Sequence, residues 1–508
     1  MHNPFPIISI FAVCACLMTG LLLAEDAPSP DAEQIEPLFQ TVDLDIGEEQ
    51  TLELTDGTSV RVKLIAVHSE RDTVRGAVRK STVDLEIDGQ VISIVSSLYN
   101  LPTECGDVQV DCPVTADYVA NAGSNYWALD KDARIRIWPK DSPWVRPGTF
   151  TYLTPAHRWF ASDTQMANDP CYVNACEKPS ARSIYYHYGL DTGGAEGRLP
   201  VVAATDGIVA SVGTECIPQY ADDTPVSTRY DVVYVVDQRG WFYRYSHLHT
   251  IDESLQPGMS IRQGDPIGLL GKEGGSGGWT HIHFGIDRIQ PSGRYGAVEG
   301  YAFLRQAYVE SHPEETLQAV ARPHVLIAPG EKAVLDATRT ASHSPDAPGP
   351  LAYEWTFTNG ETSNEPITRR TYETPGSYSE ILKVTDADGN IDYDFAVVQV
   401  VPREETGHVI PAIHAVYYPT FDIRPGDAIE FGVRTFNGGV DEGEEVWNFG
   451  DGSSPATVKS DGCGSTLNPD GYAWTSHAYE QPGSYLVEVS RTNAHGETAT
   501  GRLHVLVE

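Results

Sequence analysis

At 508 residues the chain is too long for one hydrophobic core, so three or four domains are expected. Hydrophobic residues make up 41% and charged residues 21%, a globular composition that excludes wholesale disorder. Against 35 basic residues stand 71 acidic ones, and the net charge of -36 argues against non-specific binding to nucleic acid or anionic lipid.

An uncharged, largely apolar run extends from Pro6 to Ala24, with Glu25 and Asp26 directly after it. It reads as a signal peptide over residues 1–24; a retained anchor is the alternative, since the run is nearly long enough to span a bilayer. Export to the periplasm, cell surface or medium is therefore expected, with residues 25–40 as an acidic linker. Export permits disulfides. Of the cysteines after the run, Cys105–Cys112 and Cys171–Cys176 are close enough in sequence to clip short loops, which leaves Cys216 and Cys463 paired across domains or free.

Residues 41–150 alternate apolar with polar at Thr51–Leu54, Ser59–Leu64 and Thr82–Ile87, the period of a half-buried strand. Asp56-Gly57 and Asp88-Gly89 are hairpin-type turns beside those runs. An accessory β-rich domain without a catalytic constellation is expected there. In residues 151–315 short apolar strands recur at Gly207–Ala210, Val232–Val236, Phe242–Tyr245 and Ile267–Leu270, and a helix is expected from Tyr301 to Glu310. Lys272–Trp279 reads as a mobile, Gly-rich approach to the strand that follows it, with a plain loop in which Trp279 simply packs as the alternative.

The last third repeats itself. Tyr372-Glu373-Thr374-Pro375-Gly376-Ser377-Tyr378 returns 107 residues later as Tyr479-Glu480-Gln481-Pro482-Gly483-Ser484-Tyr485. That period is a domain length, so two tandem β-sandwich modules are expected, over 320–403 and 410–508. With Trp447-Asn448-Phe449-Gly450-Asp451-Gly452, they resemble the PKD domain, an immunoglobulin-like extracellular module. The resemblance implies spacing, or attachment to a surface polymer or protein, and no chemistry. The Asp386–Asn390 turn reads as a hairpin rather than a calcium loop.

Chemistry concentrates in two clusters, His187-Tyr188-Gly189-Leu190-Asp191 and His281-Ile282-His283, with His247 between them. Period-2 alternation puts His281 and His283 on one face of a strand. A bend at Gly189 brings His187 and Asp191 to one ion. Three ligands from His and Asp with an open fourth position describe a catalytic zinc, and two histidines remain for proton transfer. His249 makes a second HxH with His247 but reads as a solvent or rim residue, and His157 and His68 have no motif around them.

The ordered set resembles the lysostaphin-type zinc metallopeptidases, which cut peptide cross-links in bacterial cell walls. His187, Gly189 and Asp191 fill the HxGxD motif; Tyr245-Ser246-His247-Leu248 matches the central histidine motif; Gln256–Gly268 matches the turn-rich stretch after it; and His281-Ile282-His283 closes the set. The resemblance covers about residues 180–290, and against it Thr214–Thr228 looks like an insertion between family strands, at the edge of the cleft. It implies His187, Asp191 and His283 as ligands of one Zn2+, and His247 and His281 as the pair that moves protons.

The expected fold class is mainly β and multidomain, an antiparallel-sheet lysostaphin-like peptidase domain with tandem immunoglobulin-like sandwiches. The expected function is an exported zinc metalloendopeptidase whose partner is a peptide substrate in peptidoglycan cross-links. An acidic protein gains no long-range attraction to an acidic wall polymer, so another peptide substrate stays open. The alternative is a surface peptide-binding or adhesion protein whose peptidase-like domain does not turn over; such a binder has no chemical need for His247 and His281. Nucleic acid is not an expected partner.

Overall fold

The computed structural model describes residues 37–163, 184–342, 349–404 and 409–508, and the backbone alone at 170–172. The expected signal peptide and the Cys171–Cys176 pairing lie outside the described residues. Among these, no helix is long and apolar enough to cross a membrane.

The N-terminal region is two four-stranded antiparallel sheets. One runs Glu49–Glu53, Ser59–Arg71, Val78–Ile87, Gln90–Val95 in sheet order; the other runs Gln40–Leu44, Ala133–Pro139, Val108–Thr115, Thr103–Cys105. The alternation seen in the sequence becomes the inner face, where Val60, Val62, Leu64, Val83 and Leu85 pack against Val110, Ile135 and Ile137. Burial of side chains of this size stabilises by about 1.5–3 kcal/mol each. Asp88-Gly89 forms the two-residue turn between Ile87 and Gln90, both residues having positive φ (48° and 88°).

The expected Cys105–Cys112 disulfide is absent: both thiols are free and buried. Cys105 faces Val108 across the hairpin, so Cys112 lies four residues further along the partner strand. At about 3.3 Å per residue that separation exceeds the roughly 7 Å a disulfide spans. Both sulfurs instead belong to the apolar core, and burial pushes the Cys112 thiol up to about 12. Cys216 is also a free thiol, which removes a Cys216–Cys463 pair.

The central domain is an antiparallel sheet in the order Leu190–Gly193, His281–Ile289, Phe242–Ser246, Val233–Val236, Gly207–Val212. Ile282, Phe284 and Ile286 turn to one face, against Tyr243, Tyr245, Val235 and the helix Tyr301–Ser311. That helix matches the expected one. Its Gly300 N-cap has no side chain, and Glu299 Oε1 accepts the Tyr301 N–H at 2.7 Å in its place. The opposite face carries His281 and His283. The Thr214–Thr228 insertion lays Tyr220 and Val226 on that same face further along, against Tyr234 and Phe242.

The repeat modules are equivalent in detail. Trp355 and Trp447 are fully buried, and Tyr378 and Tyr485 donate to the carbonyls four residues back, Thr374 (2.8 Å) and Gln481 (2.9 Å). Strands Gly376–Thr385 and Thr498–Val507 meet in parallel at Ser377 and Ala499, so one nine-stranded sheet crosses both modules. The segment before the central domain is sewn to them. Asp163 Oδ2 accepts from Ser379 Oγ (3.0 Å) and the Arg502 N–H (3.1 Å), and Arg322 donates to the Ser162 carbonyl (2.5 Å). Buried hydrogen-bonded contacts of this kind tie the described residues into one compact unit.

Candidate metal centre

Strand register builds the site. Asp191 lies opposite His283 and Gly193 opposite His281, while Ser246 lies opposite His283 on the other side. His187 then enters from the bend before Leu190. A side chain at Gly189 is forbidden by contact, because a Cβ there would sit 2.5 Å from His283 Cε1 and 2.8 Å from the Phe284 carbonyl oxygen. The glycine of the motif is therefore what lets His283 approach the bend.

Three donor atoms converge. His187 Nε2 lies 3.0 Å from His283 Nδ1 and 3.2 Å from Asp191 Oδ1, and His283 Nδ1 lies 2.9 Å from Asp191 Oδ1. Bonds of about 2.1 Å to a tetrahedral zinc place their ligand atoms about 3.4 Å apart, so this spacing is a slight contraction of a zinc triad. Two imidazole nitrogens and one carboxylate oxygen suit zinc, and all three residues are buried.

Above the triad stand the other two histidines, with ring centroids 4.6 Å apart. His281 Nδ1 lies 3.0 Å from the Trp279 carbonyl oxygen, and His247 Nδ1 lies 2.7 Å from that of Glu273. A carbonyl only accepts, so each Nδ1 carries the proton and each Nε2 presents a lone pair. His281 Nε2 is 3.7 Å from Asp191 Oδ2.

Residues 185–294 match the family model described as peptidase family M23, and residues 318–400 and 434–505 each match a PKD domain model. Residues 185–294 are a peptidase family M23 domain. Two PKD domains follow it. Solved structures with likeness to this chain include the catalytic domain of a mutant of the prophage-encoded M23 protein EnpA from Enterococcus faecalis, at 20% identity over 22% of this chain and 74% of that one, TM-score 0.17. The SpoIIIAH and SpoIIQ complex is 19% identical over 31% of this chain and 99% of that one, TM-score 0.21. Helicobacter pylori Csd3 is 14% identical over 53% and 82%, TM-score 0.18. Each is a likeness; the chemistry of the M23 domain is argued from its own residues.

Its electrostatics suit a cation. Burial alone would raise the Asp191 carboxyl, but the imidazoles of His187 and His281 hold it well below the ordinary value. Burial pushes His283 down to about 3, with Asp191 only partly opposing, and holds His281 well below the ordinary imidazole range. An ionised Asp191 beside a His283 held neutral is the ligand state that metal binding demands.

All five residues singled out in the sequence meet at this site. His249 does not join it; it is largely exposed, 3.5 Å from Glu196. One group was missed. Asp231, its side chain fully buried, accepts the His247 N–H at 3.0 Å and is gripped by the Arg229 guanidinium, whose Nη2 is 2.6 Å from Oδ2. The Arg229 proton goes to that carboxylate rather than to His247 Nδ1, 3.3 Å away, which is itself a donor. Nothing around Asp231 in the sequence marks it. Trp279 packs, and the ring it stacks on is His281, at 3.7 Å and 13°. The loop before it is not the loose approach expected, because Lys272 is buried in an ion pair with Glu196 and Ser276 Oγ donates to the Lys272 carbonyl.

Proposed function

We propose that this chain is an exported zinc metalloendopeptidase acting on peptide cross-links of peptidoglycan. The observation that carries this reading is the convergence of His187 Nε2, Asp191 Oδ1 and His283 Nδ1 beneath two histidines whose Nε2 lone pairs are free to accept protons. Those three residues would hold the ion. When bound there, zinc supplies Lewis acidity toward a carbonyl oxygen and lowers the pKa of water to about 7.

The protein's own groups do the rest. The His247 and His281 pair takes a proton from the attacking water on an Nε2 lone pair and returns it to the departing amine. Asp231 fixes the backbone of His247, and Trp279 fixes the ring of His281. The M23 assignment supports the wall peptide as substrate, the Pro6–Ala24 run supports export, and the PKD domains support contact with a surface polymer or protein.

Purified peptidoglycan incubated with the full chain tests this reading. New amino termini are expected, lost on chelation and restored by added zinc. A chain that binds zinc yet releases nothing from peptidoglycan or from other peptides would be the non-turning-over binding protein.

A further inference from the structure

The approach to His281 is held by the second PKD domain. Gly278, Trp279 and Thr280 lead into the histidine, and their neighbours lie more than 130 residues away in sequence. Arg434 Nη1 donates to the Gly278 carbonyl at 2.5 Å. The Thr280 N–H donates to Tyr472 Oη at 2.9 Å, and Tyr472 Oη is 2.8 Å from His414 Nδ1. The ring of Trp279 stands edge-on to His414, centroids 5.1 Å apart, and flat against His281 on its other side. Gly278 has φ +86°, and a Cβ there would lie 2.5 Å from the Thr466 carbonyl oxygen, so the two domains touch backbone to backbone.

The domain also flanks the other histidine. A cavity of about 260 Å³ runs between Lys272 and Glu273 on one side and Leu467, Pro469 and Trp474 on the other. Glu273 is the residue whose carbonyl fixes the His247 tautomer.

The geometry points to the second PKD domain as a working part of the catalytic centre: through Tyr472 and His414 it holds Trp279 on His281, which makes Trp279 and Tyr472 positioning residues for turnover. This rests on the proposed role of His281 in peptide hydrolysis. The physical argument is that buried backbone groups need partners. Between Gly278 and Thr280, the Gly278 carbonyl and the Thr280 N–H find theirs in the PKD domain, and the intervening residue carries both contacts that orient His281, the ring stack and the carbonyl. A displacement of about 1 Å at a reacting group costs on the order of 100-fold in rate.

The deciding variant is Tyr472→Phe in the full chain, which deletes one hydroxyl and leaves every group that touches His281 in place. Two readouts are taken together. One is the 13Cε1 resonance of His281, assigned by its disappearance in His281→Gln. The other is hydrolysis of purified peptidoglycan, resolved into kcat and KM, at equal zinc content. Tyr472→Phe is expected to shift the His281 resonance and lower kcat by about tenfold with KM nearly unchanged, a loss of orientation rather than of binding. Trp279→Ala is expected to lower kcat further, and Trp279→Phe, which keeps a stacking ring, to recover most of it. An unmoved resonance and unchanged kcat in Tyr472→Phe would overturn the inference. Should the wild type cleave no peptide, the resonance alone decides, so failure of the positioning and failure of the proposed activity are told apart.

Discussion

Asp231 holds His247 by its backbone, accepting that N–H at 3.0 Å while Arg229 grips both carboxylate oxygens. The hold has a conformational purpose. His247 has φ +71°, a left-handed backbone that a non-glycine residue adopts only when its surroundings impose it. Asp231→Ala removes the imposing group and strands Arg229. The expected cost is about 3 kcal/mol, the low end for breaking a buried pair because Arg229 keeps access to water. Chemical denaturation measures that loss, and activity should fall further than the fraction unfolded explains. Asp231→Asn, which still accepts from His247, should retain more activity than Asp231→Ala.

The same carboxylate sets a pH dependence. Burial would raise its pKa, but the hydrogen bonds from His247 and Arg229 outweigh burial and hold it well below the ordinary value. A depressed acid contributes stability that is present above its unfolded pKa of about 3.9 and lost as pH falls through the folded value. The stability difference between wild type and Asp231→Asn should therefore be full at pH 7 and shrink below about pH 4. Denaturant midpoints of both proteins across that range check it; a constant difference would contradict the assignment.

Gly189→Ala tests the bend beneath the proposed metal site. The added methyl meets His283 and the Phe284 carbonyl at under 3 Å, and backbone cannot yield cheaply. Overpacking of this kind costs about 1–3 kcal/mol. The larger effect should be on zinc affinity, since the displaced group is one of the three proposed ligands. Competition with a chromophoric chelator is expected to show at least tenfold weaker binding.

The free thiols at Cys105 and Cys112 predict a clear labelling result. Unfolded without reductant, the protein should take up alkylating reagent at both positions, whereas the folded protein should protect them. Peptide mass spectrometry reads each site, and a Cys105–Cys112 disulfide peptide would contradict the structure.

What the sequence made legible was what local pattern encodes. The Asp88-Gly89 turn, the Tyr301–Ser311 helix and the paired modules with Trp355 and Trp447 each carry their signal within a few residues. Strand periodicity paired His281 with His283 and a bend paired His187 with Asp191, while His247 was visible through the ordered motifs that carry the family resemblance. Asp231 and Tyr472 were not. Asp231 meets His247 by a backbone contact that leaves no spacing rule, and Tyr472 meets Thr280 across 192 residues. The Cys105–Cys112 expectation failed for a related reason. Closeness along the chain suggested a clip, whereas hairpin register carries the two sulfurs apart.

The most direct test is zinc stoichiometry of the purified full chain beside His283→Ala and His281→Ala, with turnover of peptidoglycan recorded on the same samples. One zinc per chain is expected in the wild type. His283→Ala should lose metal and activity together; His281→Ala should keep the metal and lose most turnover. Stoichiometric zinc in His283→Ala, or none in a folded wild type, would contradict the triad of His187, Asp191 and His283.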